Sequence, residues 1–176
     1  GALHIAFGLK GDGDVAMLSL GEDGSEDLFA SIFPPFLSID ASDPDLLVEA
    51  RRRFGDEGLP YVGGEGVDPR ILLLALEQVA PALGDDGVLV IDTLSEVWDG
   101  ILSRVDEDVG ESTRKDATRS AWGKVAPIDT AIWAAIGKAP CHVIWIVRSD
   151  VEAHVVERSG RKVTTYVPTT SKMRAR

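Results

Sequence analysis

Four apolar residues lead into Asp92 and the hydroxyl of Thr93 in the segment GVLVIDTLSE. In a nucleoside triphosphatase, a carboxylate so placed sits at the C-terminal edge of a central strand and holds the magnesium shell, directly or through water. The same pattern also describes a buried strand that ends in a helix N-cap, and on these residues alone both readings stay open. Upstream, VAMLSL is followed by Gly21, Glu22, Asp23, Gly24, Ser25, Glu26, Asp27 and Leu28, then by the helix-spaced remainder of LFASIF. A phosphate loop needs a strand, then G-x-x-x-x-G-K-[ST], then a helix. Its backbone N–H groups cradle phosphate while Lys and Ser/Thr serve the terminal phosphate and magnesium. The frame fits and the chemistry does not: Glu26 stands at the second glycine, Asp27 at the lysine and Leu28 at the hydroxyl. A carboxylate facing a triphosphate at about 4 Å costs roughly 1 kcal/mol in water and several times that in a partly buried site. Ordinary ATP binding is expected to fail, so no cofactor is expected, and Asp92 is expected to hold magnesium only with a bound nucleotide. A second frame, Gly8 to Val15 with Gly13 and Asp14, also lacks the lysine and leads into strand-like sequence, so the first frame is preferred.

The remaining chemistry-bearing side chains divide by charge and spacing. His4, His142 and His154 are scattered over apparent strands without a ligand partner at i+2 or i+4, so no metal site is expected from them. Trp98, Trp122, Trp133 and Trp145 fall in apolar patterns and are expected to pack in the core rather than stack on bases. The net charge of −11 argues against a surface that wraps duplex DNA. That charge is uneven: residues 1 to 50 carry ten acidic groups against Lys10. Arg158, Arg161, Lys162, Lys172, Arg174 and Arg176 form a basic end without an acidic residue, the place for a contact with single-stranded DNA. Its bland alternative is a solvated hairpin followed by a frayed terminus.

The elements that must position these groups follow from pattern. A chain of 176 residues with 44% hydrophobic content suits one core, a single domain over 1–176. LHIAFGL and VAMLSL, separated by the polar and glycine-rich KGDGD, read as a hairpin or a strand pair. LFASIF has helical spacing and stops at Pro34 and Pro35, and FLSID returns to strand composition. DPDLLVEARRRFG and DPRILLLALEQVAPAL are helices, each opened by an Asp cap and a Pro, with Gly55 ending the first. GVLVID reads as a central strand covered on both faces, and TLSEVWDGILSRV as the helix after it. DEDVGESTRKDATRS is expected to be a mobile loop or a frayed helix start, WGKVAPIDTAIWAAIG a helix despite Pro127, and CHVIWIV a buried strand. VEAHVVE and RKVTTYV around RSG predict a hairpin. Strands alternating with helices predict an α/β fold with a mostly parallel sheet. Cys141 has no internal disulfide partner and reads as a small hydrophobe in a reducing compartment, hence the cytoplasm. Apolar stretches are broken before about 18 residues and no basic n-region precedes one, so neither a membrane span nor a signal peptide is expected.

The segments GEDGSEDLFASIFPPFLSID, GVLVIDTLSEVWDGIL, AWGKVAPID and APCHVIWIVRSDVEAHVVERSGRKV stand in the order found in phage RecA-like ATP-binding proteins. Over roughly residues 15 to 174 the chain resembles the Sak-four group of single-strand annealing recombinases and related AAA-type phage nucleotide-binding proteins. The most specific parts are Trp98, the run Trp122 to Lys124, and the strand ending in Arg148 before a basic hairpin. The resemblance implies a RecA-like P-loop core, ATP-dependent action on single-stranded DNA, oligomers or filaments, and a host cytoplasm. It makes Gly21, Gly24 and Ser25 remnants of the phosphate loop and Asp92 the Walker B acid. It makes Arg148 a phosphate sensor or a reach into a neighbouring subunit, with an ordinary strand-end arginine in a salt bridge as the alternative. Asp40 and Asp43 lie where the family carries acids that position water, although for Asp43 helix capping is the preferred role. Asp150 stands where relatives often have Lys, and those relatives continue into further strands. Two functions follow. One is a DNA-processing ATPase homologue with impaired nucleotide use. The other is a pseudo-ATPase turned interaction module, whose acidic loop at Glu22, Asp23, Glu26 and Asp27 meets a basic protein partner or mimics phosphate.

Overall fold

The computed structural model describes residues 1–21, 25–55, 67–109, 115–148, 151–158 and 161–168. In chain order these form α1 (Ala2–Leu9), β1 (Val15–Ser19), α2 (Ser25–Ile32), β2 (Leu37–Asp40), α3 (Pro44–Phe54) and α4 (Pro69–Leu83). There follow β3 (Val88–Asp92), α5 (Leu94–Val109), α6 (Lys115–Lys138), β4 (His142–Trp145), β5 (Val151–Arg158) and β6 (Arg161–Pro168). Internal contacts divide the chain into two units, Gly1–Ile146 and Val147–Arg176.

In the first unit β1 and β3 are unbroken apolar runs. Such runs suit strands covered on both faces, and Val15 to Leu18 and Val88 to Ile91 are all buried. Four parallel strands stand in the order β2-β1-β3-β4, with Ser19 level with Asp40 on one side and Asp92 on the other. This is an α/β fold with a parallel sheet flanked by helices, as the alternation of elements predicts. Alternate residues of the strands face opposite layers. Val15, Met17, Val88 and Val90 meet Leu3 and Ala6 of α1 and Phe29 of α2. Phe33, just beyond α2, joins that layer, lying 4.7 Å from His4 and 5.7 Å from Phe7 between ring centres. Ala16, Leu18, Leu89 and Ile91 face the other way, where α4 packs on β1 and β3 and against α3, α5 and α6.

Helix ends obey local chemistry. Asp43 accepts from the Asp45 N–H at 2.9 Å and Asp68 from the Arg70 N–H at 3.0 Å, each with Pro in the first turn. Gly55 (φ 60°) and Gly84 (φ 67°) end α3 and α4 in backbone conformations that cost other residues strain. A buried cluster then ties α3 to α4. Arg70, 1% exposed, gives its Nε and Nη2 to Asp68 at 2.9 and 2.6 Å and its Nη1 to the Gly55 carbonyl at 3.0 Å. Arg51 approaches the same carboxylate at 3.7 Å.

Three expectations are corrected, and a fourth is sharpened. LHIAFGL is helical rather than a strand, because Ala2, Leu3, Ala6 and Phe7 fall on one helical face and that face packs on the sheet. His4 therefore lies on a helix. CHVIWIV contributes an edge strand, with His142 exposed and Ile144 half-buried, rather than a strand covered on both faces. The tryptophans are not all core: Trp98 and Trp122 are half-buried, while Trp133 (39%) and Trp145 (42%) are exposed and meet edge to face. In the polar stretch expected as a loop or frayed helix start, α5 runs to Val109 and α6 begins at Lys115; residues 110–114 lie outside the described ones. The second unit is the expected antiparallel hairpin, β5 with β6, in register from Val151 opposite Pro168 to Arg158 opposite Arg161.

Candidate functional site

In open parallel sheets, ligands bind outside the C-terminal ends of the strands, at the point where successive connections leave in opposite directions. Here the chain leaves β1 toward β2 and leaves β3 toward β4, so that point lies between β1 and β3. Ser19 and Asp92 end these two strands side by side, and the Leu20 N–H donates to the Asp92 carbonyl. Asp40 ends β2 on the other side of Ser19. Neighbouring strands lie about 4.8 Å apart, so the row Asp40, Ser19, Asp92 spans roughly 10 Å on the face that carries α1 and α2. The fold thus brings Asp40 and Asp92 to one edge, with Gly21 two residues past Ser19.

The individual partners limit what this edge can do. Asp40 is exposed and already occupied, accepting from the Ser42 N–H and Oγ, each at 2.8 Å. That turn orders the entry to α3 and competes with holding a water. Asp43 is a helix cap, as its sequence predicts. Ser19 is buried, with its Oγ 3.5 Å from the Gly21 carbonyl. Asp92 is half-buried, and the Oγ1 of the next residue, Thr93, is buried with no hydrogen-bond partner among the described residues. Ser19 is the residue that sequence reasoning left out, and Thr93 was noted there only as the hydroxyl after Asp92. Their signal was a hydroxyl at or just past the end of each of two apolar strands.

Of the phosphate-loop frame, Gly21 precedes and Ser25 begins α2, so Asp27 and Leu28 lie in its first turn; Gly24 lies outside the described residues, as does Asp150. Among the described residues the frame's strand β1 and helix α2 are both present. Its charge is wholly negative: Gly21 to Leu28 contain four carboxylates and no basic residue. Among the described residues no group of three His, Cys, Asp or Glu side chains is placed to share a metal ion. Arg148 is exposed and belongs to the second unit. There Arg158 is in register with Arg161 and Glu157 with Lys162 along the two strands; Lys172 and Arg174 lie outside the described residues.

A cleft of about 540 Å³ opens at the opposite edge of the sheet, lined by Asp14, Phe36, Leu37, Gln78 and Leu83 among others. It is mostly apolar and shares no residue with the Asp92 edge, so the strand-end geometry is the better guide to chemistry. Among the described residues no helix is long and apolar enough to cross a membrane. Compared with family models, curated proteins and solved structures, the chain matches none.

Proposed function

We propose that this chain is a RecA-like nucleotide-binding-fold protein, related to phage DNA recombination and annealing ATPases, that has lost ordinary ATP binding. The observation that carries this reading is the pairing of Ser19 with Asp92. β1, followed in the chain by the helix α2, stands beside β3, which ends in a carboxylate of the kind that holds magnesium in nucleoside triphosphatases. What fills the connection opposes a triphosphate. Each carboxylate brought to about 4 Å from phosphate adds roughly 1 to 4 kcal/mol of repulsion, depending on burial, where a lysine would attract. The Asp40 carboxylate, committed to Ser42, further weakens any hydrolytic role. The protein then acts in the cytoplasm as a pseudo-ATPase, as a homo-oligomer or on single-stranded DNA through the basic hairpin and tail.

Calorimetric titration with magnesium ATP tests the first claim: no heat of binding is expected at micromolar nucleotide, and micromolar binding overturns it. Retention of single-stranded DNA that weakens steeply with salt is expected from the basic end, and salt-insensitive or absent binding removes the recombination reading. The four carboxylates between Gly21 and Leu28 favour a second reading, an interaction module whose acidic connection binds a basic protein partner. Loss of such a complex on changing Glu26 and Asp27 to Gln and Asn would select it.

A further inference from the structure

β4 is an open edge. Among the described residues it pairs only with β3; the N–H groups of His142 and Ile146, just past its end, donate to Gly87 and Ile91 carbonyls at 2.9 Å each. By strand alternation, the backbone N–H groups of Val143 and Trp145 face the other way. Natural edges are blunted by lysine, proline or bulges. The β4 sequence HVIW carries neither lysine nor proline, and β2, at the other edge, follows Pro34 and Pro35 and ends in Asp40.

The placement of α1 says what covers this edge. α1 and α2 share one face of the sheet, and α4 and the helices packed on it take the other. On the first face α2 carries the chain from β1 to β2, away from β4. On the second, α3 with α4, and α5 with α6, carry it toward β4. Parallel crossovers are right-handed in about 98% of cases, so each face accepts crossovers in one direction only. α1 lies on the face of α2 and feeds β1, so a strand that it connects to β1 must lie on the β4 side. β3 and β4 hold the first two positions there, and the next is the open edge. A crossover from that edge to β1 passes over β3 and β4, and these are the strands α1 packs against.

We infer that the sheet has a fifth, parallel strand beside β4, formed by polypeptide that leads into α1 at Gly1. Hydrogen exchange on the full polypeptide tests this. The Val143 and Trp145 amides should be protected to within about tenfold of those of His142 and Ile146, whereas an open edge leaves them exchanging at least about 100-fold faster. The substitution V143P gives a second measurement. Proline is tolerated where its missing N–H would face solvent, so it should lower the urea midpoint only if a strand is bonded there. Fast exchange at Val143 and Trp145, an unchanged midpoint in V143P, or a full polypeptide that begins at Gly1 overturns the inference.

Discussion

Replacing Arg70 by Met removes the cation from a carboxylate whose side chain is 8% exposed. Breaking a buried pair from one side costs about 3–5 kcal/mol, because the remaining charge stays desolvated. Two features place R70M at the lower end, about 3 kcal/mol by the same scale. Asp68 keeps the Arg70 backbone N–H as a capping partner, and Arg51, 3.7 Å away but 43% exposed, supplies part of the lost attraction. Against a typical total stability of about 5–15 kcal/mol this is a large share. With a urea slope of about 2 kcal/mol per molar, the midpoint should fall by roughly 1.5 M. Tryptophan fluorescence is the appropriate probe, since Trp98, Trp122, Trp133 and Trp145 all lie in the unit that holds the clamp. The double variant R70M/D68N, which removes the stranded charge and keeps a capping side chain, should recover part of the loss. A decrease below about 1 kcal/mol, or a double variant no more stable than R70M, would refute the reasoning.

Asp43→Ala should cost about 1 kcal/mol through loss of the α3 cap, and Asp43→Asn nearly nothing, as read by chemical denaturation. Hydrogen bonding from Arg53 holds the Glu77 carboxyl below its ordinary value of 4.5, so its contribution is present above about pH 4.5 and is lost as pH falls below it. The effect is small because both groups are largely exposed; the stability difference between wild type and Glu77→Gln should shrink on acidification, and a constant difference would contradict it. Burial pushes the Cys141 thiol up, so alkylation at pH 8 should be at least about tenfold slower in the native protein than in urea.

The sheet was legible where composition leaves one solution. VAMLS and VLVID are short apolar runs of strand length and both form strands, and Asp43-Pro44 and Asp68-Pro69 mark helix starts by their own hydrogen bonds. LHIAFGL was ambiguous because a short apolar run contains residues at both strand and helix spacing; packing of Leu3 and Ala6 on β3 decides it. The exposure of Trp145 was invisible for a related reason, since an edge strand and a central one share the same apolar composition. At the candidate site Asp40 and Asp92 were readable singly. Their common row with Ser19 depends on the strand order β2-β1-β3, which no local pattern encodes.

The direction of α1 has a practical bearing on the Asp92 edge. The helix ends at Leu9, and Gly11 and Gly13 after it lie beside Asp86, just ahead of β3, so α1 runs back along β3 and β4 from the strands' N-terminal ends and Gly1 lies toward their C-terminal ends. Polypeptide joined ahead of Gly1, whether native sequence or an affinity tag, starts from the end of the sheet where β3 finishes in Asp92. A lysine carried on such a segment would bring to the edge the positive charge that Gly21 to Leu28 lack. Nucleotide titrations should therefore be compared only between chains that carry the same residues ahead of Gly1.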